Sequence, residues 1–176
     1  MVLAQEIYEI VEALTQRHGT RNPLTIAKNL GIHIYYPDNF TKLLGMYMHA
    51  YHNSAIFLND QMSEPMILMV AAHELGHDQL HRDQIKYKTF KDFNTSMLKD
   101  PNEYEANAFA AHLLMQTDQF MEYANAQYTP EQIAAAMNTN RELVVIKQNE
   151  LIKLGYPLNI PEPVPGNFFS KISKFK

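Results

Sequence analysis

The chain has 176 residues, no cysteine and a formal net charge of −4. That length can bury one core without disulfide staples, and the missing thiols exclude thiolate metal sites, a cysteine nucleophile and a disulfide framework. The acidic balance argues against direct nucleic-acid binding, which usually needs a basic face.

Residues 2–18 carry apolar positions at helical spacing (Val2, Ile7, Ile10, Val11, Leu14) and stop at Gly19, which predicts a first helix. Glu6, Glu9 and Glu12 interrupt any signal-peptide core, and the opening residues lack a basic start. No uncharged apolar run approaches the ~18 residues of a membrane span. The expected compartment is the cytoplasm, with no membrane association. Asn22-Pro23 opens a short helix as N-cap and first helical residue, and Gly31 stops it. Residues 32–36 are β-branched and aromatic, a strand closed by Pro37-Asp38-Asn39. Two further strands are expected at residues 44–50 and 54–58, turning near His52-Asn53, which gives a small antiparallel sheet.

A helix over residues 63–82 follows, then a polar loop over residues 83–99. Asp100-Pro101 starts a second long helix running through Met115. Residues 117–126 and 130–137 read as shorter helices, and Asn140 caps a last one ending at Leu154. These elements predict an α+β fold, a mostly helical single domain over residues 1–155 packed against the small sheet. The remaining residues, 156–176, hold four prolines and end with three lysines in the last six positions, a tail rather than a second domain.

The chemistry concentrates in His73-Glu74-Leu75-Gly76-His77. On a helix, residues four apart share a face, about 6 Å along the axis, so two imidazoles can reach one ion. Glu74 falls about 100° round from His73, on the same side as His77 at about 40°. Two nitrogen ligands and an adjacent carboxylate able to take a proton from water are what a zinc peptidase requires. Apolar residues run nearly all round this helix, which predicts burial, and buried polar groups need partners.

His81 continues the four-residue rhythm but lies ~12 Å along the axis from His73, too far for a bond of about 2 Å. It is expected to line the cleft, bond a neighbour or sit at the helix end. A catalytic zinc site takes three protein ligands, and the helix after Asp100 offers Glu103 and Glu105. Glu103 shares a face with Ala106, Asn107, Ala110 and Leu114. Glu105 falls about 200° away, beside His112, on what should be the outward side. Glu103 is therefore the expected ligand, the alternative being a capping-box role with Asp100. Gly76 and Ala106/Ala110 would let the two helices approach closely, and Asn107 is placed to support a ligand histidine.

Several stretches together resemble the ImmA/IrrE family of metallopeptidases: Ile26-Ala27-Lys28-Asn29-Leu30-Gly31-Ile32, Gly45-Met46-Tyr47, Ile56-Phe57-Leu58-Asn59, the His73–His77 motif with His81, and residues 103–115, E-x-E-A-N-x-F-A-x-x-L-L-M. The last is far more specific than H-E-x-x-H alone. The resemblance implies a zincin-like domain with ligands His73, His77 and Glu103 and catalytic Glu74. Gln116 stands where the family usually has proline, a change at the helix end.

The resemblance and the residues together predict a zinc-dependent endopeptidase, Mn2+ or Co2+ being compatible with the same ligands. Donors for the tetrahedral oxyanion are open among His49, His52, His81 and the tyrosines. The implied partner is a helix-turn-helix repressor of a mobile element or stress regulon. It is expected to bind as an added strand along an edge at residues 54–58. The alternative is a metal-bound anti-repressor or antitoxin-like module that binds without cutting, which would have no need of Glu74.

Overall fold

The computed structural model describes residues 2–40, 42–85 and 101–158. Its elements in chain order are α1 (Ala4–His18), α2 (Pro23–Asn29), β1 (His33–Tyr35), β2 (Gly45–Ala50), β3 (Asn53–Leu58), α3 (Glu64–Ile85), α4 (Pro101–Leu114), α5 (Thr117–Asn125), α6 (Pro130–Ala136) and α7 (Arg141–Lys153). Local chemistry explains most boundaries. Asn22 accepts from the Leu24 and Thr25 amides at the start of α2, and Asn140 from the Leu143 amide at the start of α7. Thr129 and Gln132 form a reciprocal capping box on α6. No described helix is long and apolar enough to cross a membrane. Residues 83–85, expected in the polar loop, belong to α3, which continues to Ile85. Residues 86–100 and most of the C-terminal tail lie outside the described residues.

The sheet corrects the expectation in two respects. Its order is β1-β3-β2, and it is mixed: β2 runs antiparallel to β3, while β1 pairs with β3 in parallel. Residues 54–58 are therefore on the central strand, and the edges are β1 and β2. The physical reason is burial. Ser54, Ala55, Ile56 and Leu58 are all buried, so β3 reads as a nearly continuous core strand needing neighbours on both sides. β2 alternates between buried Gly45 and Tyr47 and half-exposed Met46 and Met48, as an edge can. A tight turn at Tyr51 and His52, both with positive φ, joins β2 to β3 and fixes their antiparallel pairing.

β2 and β3 lie against α3, and α4 covers another side of α3. A methyl group at Gly76 would come within 3.1 Å of the Ala106 Cα and carbonyl oxygen, so the absence of a side chain there sets the spacing of the two helices. On its far side α4 packs against α1 and α7. The core runs through these layers, with Ile7, Ile56, Leu75, Phe109, Leu113 and Leu143 essentially inaccessible.

Candidate metal centre

His73 and His77 project from the middle of α3, and Glu103 from the first turn of α4. The His73 and His77 Nε2 atoms are 3.1 Å apart. Glu103 reaches them with one oxygen each, Oε2 3.4 Å from His73 Nε2 and Oε1 3.4 Å from His77 Nε2. Ligands about 2.0–2.1 Å from a tetrahedral ion lie about 3.3 Å from one another; the two Nε2 atoms meet that spacing, and one ligand atom from each of the three residues lies within 4.8 Å of the others. The donor set, two imidazole nitrogens and a carboxylate, suits Zn2+ and also Mn2+ or Co2+. Among the described residues, these three are the group that could hold a metal ion. The Glu103 side chain is 27% exposed while His73 is 6% exposed, so the centre opens to solvent along its α4 side.

Burial and charge act strongly here. Burial pushes His73 down, but the hydrogen bond and charge of Glu103 outweigh it, and the net shift is upward. Burial also lowers His77, to about 4, with the charge of His73 adding to the effect. Burial would raise Glu103, yet the two imidazoles hold it well below the usual carboxylate range. Glu74 is pushed up to about 7, chiefly by burial. The Tyr47 backbone amide opposes that shift by donating to the Glu74 carboxylate.

Glu74 sits under the edge strand. A Cβ at Gly45 would collide with Val70 Cγ1 and lie 3.1 Å from Glu74 Oε1. Only glycine lets β2 come this close. Asp78, one residue beyond His77, locks the strands to α3: Tyr47 Oη and Ser54 Oγ both donate to its Oδ1, at 2.7 and 2.9 Å, and Arg82 pairs with it.

Asn107 Oδ1 lies 2.9 Å from His73 Nδ1. His81 is 1% exposed. It does not line an open cleft: its Nδ1 is 3.1 Å from His77 Nδ1 and its Nε2 is 3.0 Å from Glu105 Oε2. Among the other oxyanion-donor candidates, His49 Nδ1 is 2.9 Å from Ser54 Oγ and His52 stands exposed at the hairpin turn.

Glu105 overturns its expected outward facing. It is 3% exposed, and its Oε1 accepts from the Val2 amide at 2.9 Å. His112, expected beside it on the same side, is also buried. α4 has no solvent face from Glu105 to Leu113, because α1 and α7 cover the side away from α3. The Ala-rich composition of residues 106–111 was the available signal, since a helix apolar all round is buried. Asp100, the capping partner weighed for Glu103, lies outside the described residues.

The profile of the peptidase M78 family, described as an IrrE N-terminal-like domain, matches residues 27–149. The chain is 34% identical over 134 residues to metallopeptidase ImmA of Bacillus subtilis (strain 168), covering 73% of this chain and 75% of that one. It is 29% identical over 143 residues to an uncharacterized immunity region protein 2 of Bacillus phage phi105, covering 81% of this chain and 89% of that one.

Proposed function

Because this chain belongs to the ImmA/IrrE family of metallopeptidases, we propose that it is a zinc-dependent endopeptidase of zincin-like architecture, its metal held by His73, His77 and Glu103. The observation that carries this reading is the convergence of two Nε2 atoms and a carboxylate within 3.1–3.4 Å of one another, with the Glu74 carboxylate on the neighbouring position of α3. Bound there, zinc would act as a Lewis acid toward the scissile carbonyl and acidify a water.

Glu74 is the general base. Its carboxylate takes the proton of the attacking water and delivers it to the leaving amine nitrogen. The Tyr47 amide and the close backbone at Gly45 hold that carboxylate in one pose. His73 is oriented by Asn107. The substrate peptide lies along β2, the sheet edge next to Glu74, where main-chain pairing would fix its register. A photo-reactive residue at Met48 on β2 should then crosslink substrate, whereas one at Tyr35 on β1 should not.

The substrate is a cytoplasmic helix-turn-helix repressor of a mobile element or stress regulon. The family membership and the immunity-region name of the phage relative support this reading. The test is purified protein with one equivalent of zinc, incubated with the repressor encoded beside its gene. Wild type should cut it, whereas Glu74→Gln should keep zinc, capture the repressor and leave it whole. A zinc-loaded wild type that binds the repressor stoichiometrically and never cuts it would replace this reading with that of an anti-repressor. Cleavage by Glu74→Gln at near wild-type rate would remove the general-base role.

A further inference from the structure

Behind His77 runs a line of buried groups that the proposed mechanism does not use. His77 Nδ1 meets His81 Nδ1 at 3.1 Å, His81 Nε2 meets Glu105 Oε2 at 3.0 Å, and Glu105 Oε1 accepts from the Val2 amide at 2.9 Å. His81 and Glu105 are 1% and 3% exposed, so water does not satisfy them. Proton counting gives the line one direction. For His77 to offer the Nε2 lone pair to a metal, its ring proton must sit on Nδ1. The neighbouring His81 Nδ1 must then be the acceptor, which puts the His81 proton on Nε2, facing Glu105. A carboxylate whose other oxygen already accepts from the Val2 amide is the natural terminus for that donor. The opposite direction would place a proton on His77 Nε2, pointed at His73 Nε2 and Glu103.

We infer that His81 and Glu105 form a positioning relay that selects the metal-binding tautomer of His77 and raises its strength as a ligand. This rests on the metal-centre reading above. The relay makes the two histidine ligands unequal. His73 is backed by the neutral Asn107 amide, whereas His77 is backed through a second imidazole by a carboxylate. Partners one step behind a ligand typically contribute about 10–100-fold to metal affinity. A buried Glu and His kept only to join α3, α4 and the N-terminal residues would leave the affinity of the folded protein untouched.

The experiment measures zinc affinity by chelator competition, the visible spectrum of the Co2+-loaded protein, and the melting temperature of the metal-free form. The variants are Glu105→Gln, His81→Ala, the two combined, and His77→Ala as control. Glu105→Gln keeps the side-chain shape and removes the charge, so it decides the matter should His81→Ala fail to fold. The relay predicts zinc affinity at least about tenfold weaker in Glu105→Gln and in His81→Ala. It also predicts displaced cobalt bands, and a double variant no weaker than the weaker single one. Wild-type affinity and cobalt bands in Glu105→Gln, whatever its melting temperature, would overturn the relay, as would additive losses in the double variant. Undiminished zinc binding by His77→Ala would instead overturn the metal centre itself.

Discussion

Helix α4 meets histidines on two of its faces, His73 and His77 of α3 on one and its own His112 on the other, and the two surroundings are built oppositely. Toward α3, the His73 and His77 Nε2 atoms lie 3.1 Å apart and Glu103 turns one oxygen to each of them at 3.4 Å. Two imidazole nitrogens and a carboxylate face one space, an arrangement that a cation, or ring protons held on Nε2, would satisfy. Toward α7, His112 Nδ1 accepts from the fully buried Lys147 Nζ at 3.0 Å, and the same ammonium donates to Thr117 Oγ1 at 3.0 Å. There the chain supplies its own cation. Burial, helped by the charges of Lys147 and Arg21, pushes His112 down to about 2, which keeps it the acceptor this arrangement requires. A buried histidine is thus a candidate metal ligand because of what its ring nitrogen faces, not because of its burial.

The largest expected effect breaks the comparison if it fails. His77→Ala and Glu103→Ala should lower bound zinc from one per chain to near zero and take cleavage to background, whereas His112→Ala should keep both. His112→Ala leaves a buried ammonium short of an acceptor and should cost about 1–3 kcal/mol of stability, read by urea unfolding. Stripping zinc from wild type with a chelator should lower its melting temperature, because a ligand present at about 100 times its dissociation constant contributes roughly 2.7 kcal/mol. The same treatment should leave metal-free His77→Ala unmoved. Zinc loss in His112→Ala would mean that the two faces are not independent.

A smaller effect concerns how each cluster is walled. The metal side depends on backbone approach, since Gly45 sits where a Cβ would strike Val70 and press on Glu74. Valine is stiff at its branched carbon, so the strand has to move. Gly45→Ala should cost about 1–3 kcal/mol and lower kcat more than zinc content, by displacing β2 and the Tyr47 amide from Glu74. Equal losses of zinc and kcat would show that Gly45 supports the whole centre rather than the base alone.

The metal side was largely legible in the sequence because its geometry is local. Residues 73 and 77 share a face on any helix, and Glu103 needed only the phase of a second helix. Helix ends were legible for the same reason at Asn22, Asn140 and Gly19, where capping chemistry is decided within a few residues. What was misplaced depended on what packs where. The parallel pairing of β1 put residues 54–58 at the centre of the sheet, and no spacing rule records which strand inserts between two others. Glu105 and His112 were assigned an outward side that α1 and α7 remove. Lys147 gave no signal at all, because on α7 it reads as one more surface lysine until His112 of α4 and Thr117 of α5 close on it.

Lys147 supplies the effect with least reach into zinc binding and cleavage and the one most specific to its side of α4. Burial, with Arg21 adding repulsion and Glu12 and Glu150 opposing it, lowers its pKa from 10.5 to about 7. The folded state therefore holds this proton less tightly than the unfolded chain does. Above about pH 10.5 the amine is neutral in both states and carries no penalty. As pH falls toward about 7, the unfolded chain gains a proton that the folded state resists, and stability is lost. Below about 7 both states are protonated and the loss is complete. Lys147→Met removes the titration, so its stability relative to wild type should be most favourable near pH 6. That relative stability should fall as pH rises through 7 toward 10, by roughly a few kcal/mol in total. Each pair is compared at the same pH with zinc chelated, so titrations shared by the two proteins cancel. A gap that stays constant from about pH 6 to 10 would mean that Lys147 keeps its charge at ordinary cost, and the cation built into this side of α4 would differ little from a surface lysine.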